Sequence, residues 1–268
     1  MHHRFWSVLA AIALVGLTAL WAAAVAPLKV AFVYVGPISD VIRQLAAKGY
    51  DVIFATSFGY MEPTLKVAKL FPKARFKHAT GFKAAANVVT YQPRFYEGAY
   101  LLGVLAGRMS KTNTLGYIGS FPIPEVIRNI DAFTLGEKGL YAFGWDSDMG
   151  RYGQHAQLTA NTENWGVYYI DEINKVLDGS WTGNRQAYLG IKDGVIVLTP
   201  LNPVVPAEVA PQFESKKQAI IAGSLVPFAG PIKDNSGVLK VAAGASVSID
   251  DLMAINWYVE GVDGKVPQ

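Results

Sequence analysis

Along the chain, short runs of β-branched and aromatic residues alternate with stretches of helical period. Lys29 to Val35 is an apolar, β-rich run that predicts a first strand. Asp40 can cap a helix over Val41 to Lys48, which Gly49 stops. Val52 to Ala55 reads as a buried parallel strand running into a small, aromatic loop, Thr56 to Tyr60. A helix then opens near Glu62-Pro63, where proline suits a first turn. A short strand is expected near Arg75 to His78. Arg94 to Met109 is a long helix, apolar over most of its surface; Gly98, Gly103 and Gly107 relieve it and read as close-packing positions.

The alternation continues with a strand at Thr114 to Gly119, a helix at Pro124 to Leu135 and a strand at Leu140 to Gly144. Gln157 to Ala160 is a further strand, and Trp165 to Leu177 a helix closed by Asp178-Gly179. Val195 to Leu198 reads as a strand, Pro206 to Ala222 as a helix and Val238 to Val241 as a β segment. A short capped helix follows Ser248. Strands alternating with helices imply an α/β fold with mainly parallel sheets.

The amino terminus breaks this pattern. His2, His3 and Arg4 precede an apolar run from Phe5 to about Trp21, followed by Ala22-Ala-Ala24 and Ala24-Val-Ala26. A basic start, an apolar middle and an A-x-A ending describe an export signal over residues 1–26. Pro27 is a poor residue directly after a cut, which favours cleavage after Ala24. An uncleaved anchor is the less favoured reading, although the run approaches the ~20 residues that span a bilayer. Losing Arg4 from the 24 basic residues leaves 23 against 21 acidic ones. These are scattered, with no basic stripe, so no nucleic-acid partner is expected.

Candidate chemistry is sparse. Cysteine is absent, which removes disulfides, thiolate metal sites, thiol nucleophiles and lipidation of an N-terminal cysteine. No G-x-S-x-G elbow or P-loop occurs. Of four histidines, two lie in the signal. His78, near a strand end, reads as structural. Asp146-Ser-Asp148-Met-Gly150 faintly echoes a calcium loop but lacks the third acidic ligand and the closing glutamate. No catalytic residue, metal or cofactor is expected.

Position suggests more than composition does. In open α/β sheets, ligands bind outside the carboxyl ends of the strands. Ser57, Phe58 and Tyr60 occupy one such loop, and Trp145 with Asp146 another. Trp165 opens a later helix. Aromatic faces with an adjacent carboxylate suit a flat heterocycle, with stacking worth ~1–3 kcal/mol per base. Taken singly, each aromatic is more often core packing, and Asp146 or Asp148 could merely cap a turn.

Several blocks carry a family resemblance: Val30-Ala-Phe-Val-Tyr-Val-Gly-Pro37, Ser57-Phe-Gly-Tyr60, Phe95-Tyr-Glu-Gly98, Gly116-Tyr-Ile-Gly-Ser-Phe-Pro-Ile-Pro-Glu-Val126 and Tyr141-Ala-Phe-Gly-Trp-Asp-Ser-Asp148. So does the ending Gly230-Pro-Ile-Lys-Asp234 with Asn256-Trp-Tyr-Val-Glu-Gly-Val262. The chain resembles the basic membrane protein (BMP) family of ABC-transporter substrate-binding proteins over nearly all of residues 28–268. The resemblance implies a type I periplasmic-binding fold: two lobes of mainly parallel sheet flanked by helices, joined by three crossing strands. Residues 28–121 with 162–185 would form lobe 1, and 122–161 with 186–268 lobe 2.

It further implies a periplasmic, monomeric protein that binds a purine base or nucleoside between its lobes and delivers it to an inner-membrane ABC permease. By motif, Asp40 matches the acidic residue after the first strand, and Phe58 with its neighbours the first-lobe pocket loop. Asp146 matches the second-lobe acidic ligand, and Trp165 falls beside a crossing. Two departures stand out. The family's first helix and second strand are missing after Asp40, and two strand–helix units are missing after Gly136. Both lobes are therefore expected to be shortened, which leaves a second reading: a family member that keeps the fold's outline but no longer binds.

Overall fold

The computed structural model describes residues 27–33, 38–110, 116–117, 119, 123–136, 142–148 and 157–266. The expected signal, 1–26, lies outside them, as does most of the strand expected at Thr114 to Gly119.

A five-stranded sheet forms the first layer system. β1 (Val30–Val33), β2 (Val52–Ala55), β3 (Arg75–Ala79), β4 (Val88–Pro93) and β7 (Arg185–Leu189) lie in the order β1-β2-β3-β4-β7. Every neighbouring pair is parallel. Parallel sheets are buried on both faces, and all four residues of β2 (Val-Ile-Phe-Ala) are buried. On one face, α1 (Ile38–Ala47) and α2 (Met61–Leu70) pack Ile42, Val67 and Ala68 against Ile53 and Phe76. Gly49, at φ +75°, ends α1 as expected, because that conformation strains any residue with a Cβ. On the other face, α5 (Trp165–Leu177) covers Phe54 and Tyr91 with Tyr168 and Tyr169.

The strands β4 and β7 are absent from the sequence reading. Val88-Val-Thr-Tyr91 has the right residues, but Pro93 argues against a central strand. The structure resolves this by placing Pro93 at the last position of β4, where the chain leaves the sheet.

The second layer system contains β5 (Ala142–Trp145), β6 (Gln157–Glu163) and β8 (Ile196–Leu198), in the order β5-β6-β8. β5 and β6 are parallel; β6 and β8 are antiparallel. Around it pack α3 (Phe95–Met109), α4 (Pro124–Gly136) and α6 (Val209–Ile221). α3, grouped with the first lobe in the sequence reading, buries Leu102 and Ala106 with α4 and Leu101 and Leu105 with α6. Gly98 lies flat against the Asn161 amide of β6, and a Cβ there would overlap it. The chain ends in an antiparallel pair, β9 (Ile232–Lys233) with β10 (Leu239–Val241), and in α7 (Ile249–Met253). Ser248 caps α7 by accepting from the Asp251 amide at 3.1 Å.

The chain passes between the two systems after β4, after β6 and after β7. The crossings are tied together by Arg94 N–H to Leu189 O and Asn164 N–H to Val195 O, both 2.8 Å. The buried Glu97 carboxylate accepts from the Ile191 amide at 2.8 Å and from Arg94. Gly190 lies so close to that carboxylate that no side chain fits.

Candidate ligand cleft

The carboxyl ends of β2 and β3 carry the first wall. Ser57 is extended (φ −139°), and its carbonyl accepts from the His78 ring Nε2 at 2.8 Å and from the Tyr60 amide at 2.9 Å. His78 is buried, and burial lowers its pKa, so the neutral ring acts as a fixed donor that positions the loop. Tyr60 turns inward: it is 5% exposed and packs with the core residues Ile42 and Val67. Asp40 is exposed in the first turn of α1. The Phe58 side chain lies outside the described residues.

Trp165 opens α5 directly after the second crossing. Its ring stands edge-on to Tyr91 at 5.6 Å and lies nearly parallel to Tyr169 at 6.1 Å. Trp145, at the end of β5, packs against Phe95 with ring centres 5.7 Å apart. Each tryptophan is half-buried, with part of its ring committed to packing.

The most distinctive chemistry surrounds Asp146. Its backbone is left-handed (φ +57°) and its amide donates to the Asn161 carbonyl at 3.0 Å, which ends the β5–β6 pairing. The conformation turns the Asp146 carboxyl to the Glu163 carboxyl at the end of β6, and the two share a hydrogen bond. Two carboxyls can bond only through a proton. Burial, the Asp146 charge and the donated bond push Glu163 up to about 8, so Glu163 carries that proton at neutral pH. Burial raises Asp146 as well, and the bond it accepts opposes this.

Two further groups close on this pair. Glu125, in the first turn of α4, accepts from Gln92 Nε2 at 3.0 Å; burial raises its pKa against the pull of Arg128. Tyr117 is raised by burial and by the Asp146 and Glu125 charges. Arg128 is itself buried and donates to the Leu252 carbonyl at 2.8 Å. Among the described residues, no group of three or more His, Cys, Asp or Glu is placed to hold a metal ion.

The structure thus joins Asp146 to the segment bearing Trp165 through a residue the sequence reading missed, Glu163. Gln92, Glu125 and Tyr117 were missed too. Glu163-Asn-Trp165 offered one usable signal, a carboxylate at a strand end two positions from a candidate stacking ring. For Gln92 the signal was hidden with its strand.

Two α/β systems linked by three crossings give the chain the fold of solved ABC-transporter solute-binding proteins. A solved ABC-transporter solute-binding protein from Conexibacter woesei superposes with a TM-score of 0.57 at 19% identity, covering 75% of this chain and 98% of the other. The family described as "ABC transporter substrate-binding protein PnrA-like" (Bmp) matches residues 36–138 and 135–228. A purine-binding protein of Brucella abortus is 37% identical across 85% of this chain and 79% of its own length. A putative ABC transporter glucose-binding protein of Haloferax volcanii is 27% identical across 85% and 69%. The chain belongs to the Bmp family: it is a substrate-binding protein of an ABC transporter.

Proposed function

We propose that this protein captures a purine base or nucleoside outside the cytoplasm and hands it, chemically unchanged, to a membrane permease. The observation that carries the reading is the hydrogen-bonded Asp146–Glu163 pair at a strand end, two positions before the half-buried Trp165 in the chain. A flat base satisfies both at once, stacking on a ring while its polar edge meets the acids. The purine-binding relative supports the same ligand class. Asp40, Ser57, Phe58, Tyr60, Trp145, Asp146 and Trp165 remain the proposed ligand set. Tyr60 acts from the core, and Ser57 acts through the loop that His78 holds. The protein works as a monomer, exported by its N-terminal segment.

A second reading has its own support. The 280 aligned positions shared with the Brucella protein draw on only 85% of this 268-residue chain, so roughly 50 of them have no residue of this chain opposite. Loss of whole units would remove parts of the cleft and leave a shortened, non-binding member.

One panel separates the two. Purified protein is melted with adenine, guanine, hypoxanthine, adenosine, inosine and glucose. A ligand present at about 100 times its Kd stabilises by ~2.7 kcal/mol, a shift of several degrees. A shift with purines and recovery of the nucleosides intact supports the receptor reading. Glucose alone would move the ligand class, and a flat panel would favour the non-binding form.

A further inference from the structure

Gln92 and Glu163 are assigned no role by any family motif in the sequence, yet both end in orphaned acceptors. Gln92 is 3% exposed, and its Oε1 finds no partner among the described residues, while its Nε2 is held by Glu125 at 3.0 Å. Glu163 Oε1 is likewise buried and meets no N–H or hydroxyl donor among the described residues. A buried oxygen without a donor costs about 1–3 kcal/mol unless something supplies one. Gln92 is the penultimate residue of β4 and Glu163 the last of β6, each just before a crossing, and Glu125 links Gln92 to the acid pair.

We propose that Gln92 and Glu163 are ligand-recognising residues, and that Glu163 meets the ligand as a neutral acid donating to Asp146, which keeps Asp146 as an acceptor. The proposal rests on the purine-receptor reading above. It gives the cleft three acceptors: Gln92 Oε1, Glu163 Oε1 and the Asp146 carboxylate. Such a wall selects a base that presents N–H donors, such as adenine, over unsubstituted purine, whose rim is mostly acceptors.

Among the described residues, the charged groups acting on Glu163 are Asp146, directly after β5, and Glu125 from α4. Arg128 on α4 and Gln92 on β4 act on Glu125, and Tyr117 faces Asp146 and Glu125. A second negative charge here meets two carboxylates, and among the described residues the cation acting on Glu125 is Arg128. Loss of the shared proton therefore disfavours the wall that binds.

The test is the pH profile of adenine and adenosine binding by calorimetry on the full protein, with unsubstituted purine as a control. Wild-type affinity should fall about tenfold between about pH 6 and about pH 9. Glu163→Gln, which cannot lose a proton, should bind severalfold more weakly at the lower pH but with a flat profile. Comparing the two removes the ligand's own ionisation. Adenine should bind at least about tenfold more tightly than unsubstituted purine, the cost of one orphaned acceptor.

A wild-type profile as flat as the variant's overturns the proposal and leaves the purine reading standing. Absence of binding by every probe at every pH overturns both. If Glu163→Gln fails to fold, the wild type decides alone. Binding at about pH 8.5 should take up a fraction of a proton, read as a buffer-dependent heat. No uptake overturns the proposal.

Discussion

Asp131 shows at the scale of one residue how far burial can move a carboxyl. It is fully buried on α4, its Oδ1 accepts from the Val259 amide at 3.0 Å, and its Oδ2 has no partner among the described residues. One hydrogen bond does not offset that desolvation, and the pKa rises to about 8. The folded value lies above the unfolded one of about 3.9, so the native state keeps a proton that the unfolded chain releases. The stabilisation is complete below about pH 4 and is lost as pH rises through about 8. Asp131→Asn should therefore gain on the wild type by up to about 1.4 kcal/mol per pH unit across that window. Urea unfolding at stepped pH measures the difference, and parallel curves would refute it. Nothing in the sequence announces this: Asn-Ile-Asp131-Ala-Phe looks like any amphipathic turn, and only Val259, 128 residues on, shows that its acid faces inward.

At the scale of elements, much was legible because burial and period agreed. β2 reads as a buried strand since all four of its residues are apolar, and α7 since Ser248 sits where a cap must. What was hidden depends on partners distant in the chain. β7, Arg185-Gln-Ala-Tyr-Leu189, offers only Ala187 and Leu189 as alternating apolar positions, and its pairing with β4 makes it a strand. The cleft divides in the same way: Asp146 was visible by position, whereas Glu163 gains its role only when the β5 end turns toward it. The spacing of Gly98 marks it as a packing glycine, and its place against Asn161 supports a direct check. Gly98→Ala gains in helix propensity but must displace an amide held at 0% exposure. Overpacking of this kind costs about 1–3 kcal/mol, and the denaturation midpoint should fall accordingly. An unchanged midpoint would mean that α3 can slide.

For the molecule as a whole, β1 is the edge of the five-stranded sheet and carries no charged residue between Val30 and Val33. Beside it, α5 leaves Ile170 63% and Leu177 65% exposed, while Tyr169 lies over Phe32 at 5.0 Å. An edge that no strand covers among the described residues, flanked by apolar side chains, invites association of partly folded chains. Replacing Ile170 and Leu177 together with lysine should raise the refolding yield at high protein concentration and leave the denaturation midpoint within about 0.5 kcal/mol. Light scattering during refolding would record it, and an equal yield would show that the edge is harmless. The crossings carry a different consequence. Gln92 and Glu163 sit within two positions of them in the chain, whereas Ser57 lies on a strand-end loop of the first sheet that carries no crossing. If the two halves rock about these tied segments, the former lie at the fulcrum, where a given rotation displaces an atom least. The polar edge of a guest could then be read with the jaws open, and the loop at Ser57 would add its grip only at the end of the stroke.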